Sequence, residues 1–327
     1  MHADEPGLTR HKRGGRFAYL DARGKHVRDP ATLRRIRALV IPPAWTHVWI
    51  ASDGDAHIQA TGRDARGRKQ YRYHPRWRAL RDDAKFHRLV AFCAVLPKLR
   101  AAIERALAMP RLTKRKVVAT IVSLMEAAQL RVGNDEYARA NGSYGATTLR
   151  DRHATIRGNT IVLAYRGKAG VPRRVKLTDK RLARIVRSCR DLPGQRLFQY
   201  VDGARVRPIA SHDVNAFLRE VTGGPFTAKD YRTWAGTLGA ALLAACADDC
   251  APKQVIAAVA EKLGHTPAVC KASYIHPRVL DDERLAAAIR RRIGDVELGP
   301  DAIRVAALRA IEPIVARALA APMRRRA

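Results

Sequence analysis

The sequence contains no C-x-x-C pair, no glycine-rich phosphate loop and no apolar run long enough to span a bilayer. Its cysteines are few and odd in number: Cys93, Cys189, Cys246, Cys250 and Cys270. That argues against a disulfide framework and for reduced, mostly buried thiols in a cytoplasmic protein. Cys246 and Cys250 stand at helical i, i+4 spacing, but no His or Cys cluster completes a zinc site beside them, so no metal is expected. Without a Walker-type or Rossmann-type glycine motif, nucleotide binding has no support, and no cofactor is expected. The longest apolar run lies around Ala240 to Ala247, far short of a membrane span. The opening MHADEPGLTRHKRGGR lacks the apolar centre of a secretory signal. Acidic residues are also scarce, with 30 Asp and Glu against 62 Lys and Arg.

What is present, then, is positive charge. The formal net charge of the 327 residues is +32. Self-repulsion on this scale disfavours a compact state and calls for an acidic partner. Arginine dominates the cations, and its planar fork suits phosphate oxygens. Residues 1–90 carry a net +11 and the remainder +21, so the charge is not a tail. Two basic lobes fit a protein that grips nucleic acid on two sides, more than a membrane-surface protein or one with a single basic arm.

Read in order, residues 1–15 look frayed. Strand signals follow at Phe17–Leu20, Val48–Ala51 and His57–Thr61, and Lys69–Tyr73 alternates so that Tyr71 and Tyr73 share a face. A short basic helix is expected over 30–39 and a rigid link over Ile41–Trp45. Trp45, Trp49 and Trp77 are read as core residues. Near residue 83 the period changes. Apolar residues recur at helical spacing over 84–109 and again over 113–130, with Gly133 as the second helix's cap. A hairpin is expected over 155–163 and a second turn over Arg166–Gly170, leading into Arg174–Leu177. Beyond Thr178 the pattern is helical, with helix starts at Ser211, Thr227 and Ala251-Pro252. The fold class is α+β: a small, mainly antiparallel β-sheet domain over 1–87 and a mainly α-helical domain with a β-hairpin insertion over 88–327.

The stretch LGHTPAVCKASYIHP (263–277) holds an imidazole, His265, and a phenol, Tyr274, nine residues apart. On one continuous helix nine residues turn through roughly 900°, and the two would face opposite ways. Here the helix is interrupted. Gly264 suits a left-handed C-terminal position, Thr266 an N-cap and Pro267 the first position of a new helix that Pro277 ends. Three more cations sit where a fold can aim them: Arg131 at the C-terminal end of a helix, Lys168 at a turn tip between glycines, and Arg232 in the first turns of a helix capped by Thr227. Singly, each reads as a solvated surface charge. Together, two arginines, a lysine and an imidazole around one point would make a phosphate site.

Five blocks, in order and spacing, resemble the small, poxvirus-like type IB DNA topoisomerases found in bacteria: KQYRY (69–73), LRVGN (130–134), RGKAG (166–170), KDYRTWAGT (229–237) and the 263–277 stretch. The resemblance covers nearly the whole chain. It implies the tyrosine recombinase/topoisomerase IB catalytic fold, with active-site roles on Arg131, Lys168, Arg232, His265 and Tyr274. It also implies DNA contacts by Gln70, Tyr71 and Tyr73 in the major groove. Arg63, Arg66 and Arg68 are expected on phosphates, with Lys229 a further contact. Ala169 departs from the family, whose poxvirus members carry a charged residue there. The implied activity is relaxation of duplex DNA through a 3′-phosphotyrosyl intermediate, without ATP or metal. The implied protein is a cytoplasmic, nucleoid-associated monomer that clamps duplex DNA between its two domains. Two alternatives remain at this point. A tyrosine recombinase shares the chemistry, but typically has H-x-x-R where this chain has Lys229-Asp230-Tyr231-Arg232, and a helical N-terminal domain. A non-catalytic DNA-coating protein would explain the charge but not five ordered motifs.

Overall fold

Antiparallel pairing begins earlier in the chain than its composition suggests. The computed structural model describes residues 5–65, 67–245, 251–294 and 299–321. Arg66, Cys246, Cys250 and the terminal Arg324, Arg325 and Arg326 lie outside those residues. Within them, the supposedly frayed start contains strand β1 (Leu8–Arg13), which pairs with β2 (Arg16–Leu20) and also with β3 (Thr46–Ile50). The charge-rich LTRHKR gives little apolar alternation, so its strand is visible only through its partners. The Arg10 guanidinium anchors it, donating to the carbonyls of Ile41 (3.3 Å), Pro42 (3.0 Å) and Trp45 (2.6 Å) from above the Phe17 ring. With β4 (Ile58–Arg63) and β5 (Lys69–Tyr73) the sheet runs in the order β2-β1-β3-β4-β5.

Helix α1 (Pro30–Ala38) starts where the sequence places it, with Asp29 accepting from Thr32 N and Pro30 in the first turn. It covers one face of the sheet. Ile36 joins Leu8, Val48, Ile50 and Ala60 in a small core, with Tyr19 and Trp45 packed at its edge. Trp49 is half-buried and donates to Glu5 O at 2.9 Å. Trp77 is not a core residue: it is 37% exposed, with its ring 5.1 Å from that of His57.

Contacts divide the chain into two compact units, Met1–Lys85 and Phe86–Ala327. The first long helix, α2 (Pro75–Ala108), begins nine residues ahead of the expected 84, because Pro75 is suited to a helix's first turn. Helix α3 (Lys114–Ala128) is capped by Thr113, where the sequence starts the helical stretch, but it ends at Gln129 in the left-handed region (φ 53°), not at Gly133. After α4 (Asp135–Asn141) come strands β6 (Ala154–Arg157), β7 (Thr160–Arg166) and β8 (Pro172–Thr178), an antiparallel sheet in chain order.

The region beyond Thr178 is not wholly helical. Between α5 (Lys180–Arg190) and α6 (Ser211–Thr222) lies a hairpin of β9 (Gln199–Asp202) and β10 (Arg205–Pro208). Gly203 (φ 59°) turns it. Its four-residue strands sit at the short limit of the window over which period-2 alternation can be read. Ser211 is the first helical residue of α6, one past the cap at Ala210, whose N–H donates to the Asp213 carboxylate.

Helices α7 (Ala228–Ala244), α8 (Pro252–Leu263), α9 (Pro267–Tyr274), α10 (Glu283–Ile293) and α11 (Val305–Ala320) complete the unit. Helix α7 is buried almost all round, a pattern of a helix at the centre of its domain. Helix α11 docks through charge as well as apolar area. Glu312 accepts from Arg100 (2.7 Å) and from the Trp234 indole of α7 (2.8 Å), and Arg100 also reaches Glu126 of α3 (2.7 Å). Among the described residues no helix is long and apolar enough to cross a membrane, and no group of three or more His, Cys, Asp or Glu is placed to hold a metal ion. Cys189 and Cys270 are buried free thiols and Cys93 is half-buried. Burial raises all three, Cys93 and Cys270 to about 11 and Cys189 to about 12.

Candidate active site

Arg232 is the most deeply set of the five residues, at 5% exposure. Its helix starts at Thr227, whose N–H (2.7 Å) and hydroxyl (2.9 Å) donate to Asp230, itself paired with Arg88 at 2.7 Å. That places Arg232 one turn into α7, pointing at two helix ends. It donates to Gln129 O at the end of α3 and to Leu263 O at the end of α8 (2.6 Å). Helix C-termini carry partial negative charge, so these carbonyls act as counter-charges for a buried cation. Burial, then the charge of Arg131, lowers its pKa to about 10, which leaves it cationic at neutral pH. Its Nε is buried without a hydrogen-bond partner among the described residues, an open donor in a charged pocket.

Arg131 lies two residues past Gln129, in a segment held by its neighbour in space. Ala146 N donates to Arg131 O and Thr147 N to Val132 O, each at 2.7 Å. This backbone contact needs glycine. A Cβ on Gly145 would lie 2.6 Å from the Gly133 backbone, and Gly133 has φ +102°. So Gly133 serves the approach of two segments rather than a helix cap. The Arg131 Nη2 donates to Gly264 O (2.8 Å) and to His265 Nε2 (3.0 Å). Burial is the main cause that lowers its pKa.

The corner between α8 and α9 forms as its residues dictate. Gly264 takes φ 64°, His265 N returns to Ala260 O (2.8 Å), Thr266 accepts from Val269 N (3.4 Å), and Pro267 opens α9. Tyr274 is the last residue of α9, so the helix stops three residues ahead of Pro277, which begins a short 3-10 turn instead. The two rings meet, with centroids 4.4 Å apart and planes at 31°. The Arg232 guanidinium carbon lies 5.7 Å from the Tyr274 ring centre. Helix α7 also fixes the Tyr274 backbone. A Cβ on Gly236 would lie 2.6 Å from Tyr274 O, and the Thr237 hydroxyl donates to that oxygen (3.3 Å) while accepting from His276 N (3.1 Å).

Burial, then Arg131, Arg232, Lys168 and Arg173, pushes His265 down to about 3. The imidazole is therefore neutral at pH 7 and keeps one N–H to donate. The linkage has a definite sign. Between about 3 and the ordinary value of 6.5 the unfolded chain binds a proton here that the folded protein does not, so this histidine costs stability as pH falls below 6.5. Wild type is expected to lose more stability than His265→Gln between pH 7 and pH 5, read as urea midpoints at both values. Equal losses would mean that the histidine titrates normally.

Lys168 sits on the turn between β7 and β8. Gly167 N donates to Val171 O (2.8 Å), and Ala169 adopts φ 62°, a left-handed conformation unusual for alanine. The side chain is exposed and lines an open cleft of about 880 Å³, shared with Arg131, Arg173, Lys262 and His265. All five residues singled out in the sequence thus gather in one region of the second unit. Two others were missed. Arg173 faces the cleft from β8, and Tyr165, a buried phenol on β7 raised by its burial, lies beside Arg173, Arg232 and Arg131. The signal for Arg173 was available: it shares the half-buried strand face with Val175 and Leu177.

The candidate DNA contacts of the first unit cluster on the β4–β5 hairpin. Tyr71 is 40% exposed, and its ring lies near-parallel to that of Tyr73 at 5.9 Å. Asp64 holds Gln70 (2.9 Å) and Arg68 (2.6 Å), while Arg63 donates to Gly67 O (2.8 Å). Arg66 lies outside the described residues. In the second unit, Lys229 is exposed on the first turn of α7.

Comparisons with known proteins agree with one another. The family model for the catalytic core of eukaryotic DNA topoisomerase I matches residues 74–291. The model for the N-terminal domain of bacterial DNA topoisomerase IB matches residues 16–64. A DNA topoisomerase 1B of Acanthamoeba polyphaga mimivirus is 34% identical over 286 residues, covering 82% of this chain and 85% of the relative. These matches do not favour the recombinase alternative. With Arg131, Lys168 and His265 lining one basic cleft, and His265 and Arg232 against the Tyr274 ring, the site agrees with these matches, and the chain belongs to the type IB DNA topoisomerases.

Proposed function

We propose that this topoisomerase relaxes duplex DNA by transient cleavage of one strand, with Tyr274 as the nucleophile. The observation that supports this best is the setting of the Tyr274 ring, between a neutral His265 and the buried Arg232. The phenol gives up its proton to solvent and its oxygen attacks a backbone phosphorus; the P–O5′ bond breaks, leaving a 3′-phosphotyrosyl bond and a free 5′-hydroxyl. Charge that builds on the non-bridging oxygens is met by Arg131 and Arg232, and His265 donates one more hydrogen bond. Arg131 and Arg232 are held in advance by carbonyls of Gly264, Gln129 and Leu263, so little reorganisation is needed when the phosphate arrives. Lys168 gives its proton to the departing 5′-oxygen. The duplex downstream of the break swivels, and the 5′-hydroxyl then attacks the phosphotyrosine to reseal the strand. The phosphotyrosyl bond retains the energy of the broken phosphodiester, so the cycle uses neither ATP nor another nucleotide.

The protein acts as a monomer on the DNA of the nucleoid, and both units grip the duplex. The β4–β5 hairpin residues Gln70, Tyr71 and Tyr73 read the major groove. Arg63, Arg66, Arg68 and Lys229 meet phosphates. Relaxation of supercoiled plasmid in EDTA without ATP tests the reading as a whole, and a requirement for either metal or nucleotide would overturn it. Such a grip neutralises several phosphates. The plot of log K against log salt is therefore expected to fall steeply, with a slope on the order of −0.9 per phosphate contacted. A nearly flat plot from fluorescence anisotropy would mean that the net +32 serves something other than duplex DNA.

A further inference from the structure

One side chain outside the five touches the neighbours of two of them. Arg173 lies on β8, directly opposite Tyr165 of β7 in the strand register. Its stem packs on Gly167, the residue before Lys168: a Cβ there would lie 3.1 Å from Arg173 Cγ. Its head packs on Gly264, the residue before His265: a Cβ there would lie 2.9 Å from Arg173 Nη1. The same guanidinium donates to Glu261 O (3.3 Å) and Lys262 O (2.8 Å), two carbonyls in the last turn of α8. Arg131 binds the next carbonyl but one, Gly264 O, at 2.8 Å.

We propose that Arg173 is a positioning residue that ties the Lys168 turn to the α8–α9 corner, and so sets where Lys168 stands relative to His265 and Arg131. Lys168, Ala169 and Gly170 are all exposed, and the turn is closed by its own backbone hydrogen bonds. Arginine is the side chain this task requires, because its planar fork reaches two carbonyls at once while its stem covers a glycine. A helix C-terminus is a favourable seat for that cation. Both glycines leave the space it fills, and a side chain at either would push it away. The alternative role for an arginine in this cleft is a direct phosphate contact. Its two carbonyl partners and its place on the inward strand face favour the tie.

The proposal rests on the reading that Lys168 takes part in the chemistry, but not on what Lys168 does there. The experiment is a double-mutant cycle on single-turnover cleavage of a duplex oligonucleotide, with wild type, Lys168→Ala, Arg173→Ala and the double variant. Arg173→Lys is added, and each variant's DNA affinity is measured at two salt concentrations. A misplacement of about 1 Å in a catalytic group can cost on the order of 10²-fold, so Arg173→Ala is expected to cleave about ten- to a hundredfold more slowly. If it acts through Lys168, the double variant is no slower than Lys168→Ala alone. Arg173→Lys, which keeps the charge but loses the fork, is expected to be nearly as slow as Arg173→Ala. DNA affinity and its salt slope stay within about twofold of wild type for Arg173→Ala and Arg173→Lys, since neither loses a phosphate contact. Multiplicative defects in the double variant would overturn the proposal. So would an Arg173→Lys variant that cleaves normally beside an Arg173→Ala variant with weakened affinity and a shallower slope, which is the signature of a phosphate contact. A Lys168→Ala variant with no defect of its own would instead remove the reading on which the proposal rests.

Discussion

Tyr274→Phe is expected to abolish plasmid relaxation and the covalent DNA adduct while leaving non-covalent DNA binding intact. The substitution removes one oxygen and little else. The ring keeps its contact with His265 at 4.4 Å and its place 5.7 Å from the Arg232 guanidinium carbon. The backbone contacts of this residue, Thr237 to Tyr274 O and the close approach of Gly236, do not involve the phenol. The fold of the corner is therefore preserved, and the loss falls on the chemical step. Deleting a nucleophile whose neighbours act with it as a unit costs on the order of 10⁴-fold or more. The measurement is the yield of a denaturation-resistant protein–DNA complex, alongside an equilibrium affinity. A phenylalanine variant that still forms that complex would assign the covalent bond to another side chain. Tyr165, the other phenol near both arginines, would be the first to test.

The second large effect concerns the leaving group. Lys168→Ala is expected to slow cleavage by roughly two or more powers of ten, the usual worth of a positioned general acid. Most of that loss should disappear on a substrate whose bridging 5′-oxygen is replaced by sulfur, because a thiolate departs without a proton. Arg131→Ala and Arg232→Ala are expected to keep at least part of their defects on the sulfur substrate. In the proposed mechanism those side chains meet charge on the non-bridging oxygens, and that charge develops whatever the leaving atom. The structure sharpens the contrast. Arg232 is buried and already bound to two helix ends, whereas Lys168 is exposed at a turn tip. Single-turnover cleavage of both substrates by all three variants decides the matter. Rescue of Lys168→Ala no greater than that of Arg232→Ala would make Lys168 one more cation of the clamp and place the acid elsewhere.

Much of this molecule was legible without coordinates, wherever the cause of a conformation lies within a few residues of it. The corner at Gly264, Thr266 and Pro267 is such a case, since a left-handed glycine, a hydroxyl cap and a proline each act on the turn they occupy. The same holds for Asp29 and Pro30 at the start of α1, for the cap at Thr227, and for the shared face of Tyr71 and Tyr73. The net charge of +32 is likewise a property of the chain alone, and it already required an acidic partner.

Tertiary structure decided the rest, because those features depend on residues far apart in the chain. Strand β1 carries too little apolar alternation to declare itself and exists through its pairing with β2 and β3 and the reach of Arg10 to Trp45. The end of α3 at Gln129 is held by Arg232, from a helix about a hundred residues on, which donates to its carbonyl. Gly133 looked like a helix cap and proved to be a place where two backbones touch. Local sequence cannot specify which cations will share a point. Arg131 meets His265 only because α7 packs against α8 and α9, an approach that a side chain at Gly236 would block. That packing buries the arginines beside the histidine and holds the histidine neutral, while the β7–β8 pairing sets Arg173 against Gly167 and its bonds to the end of α8 set it against Gly264.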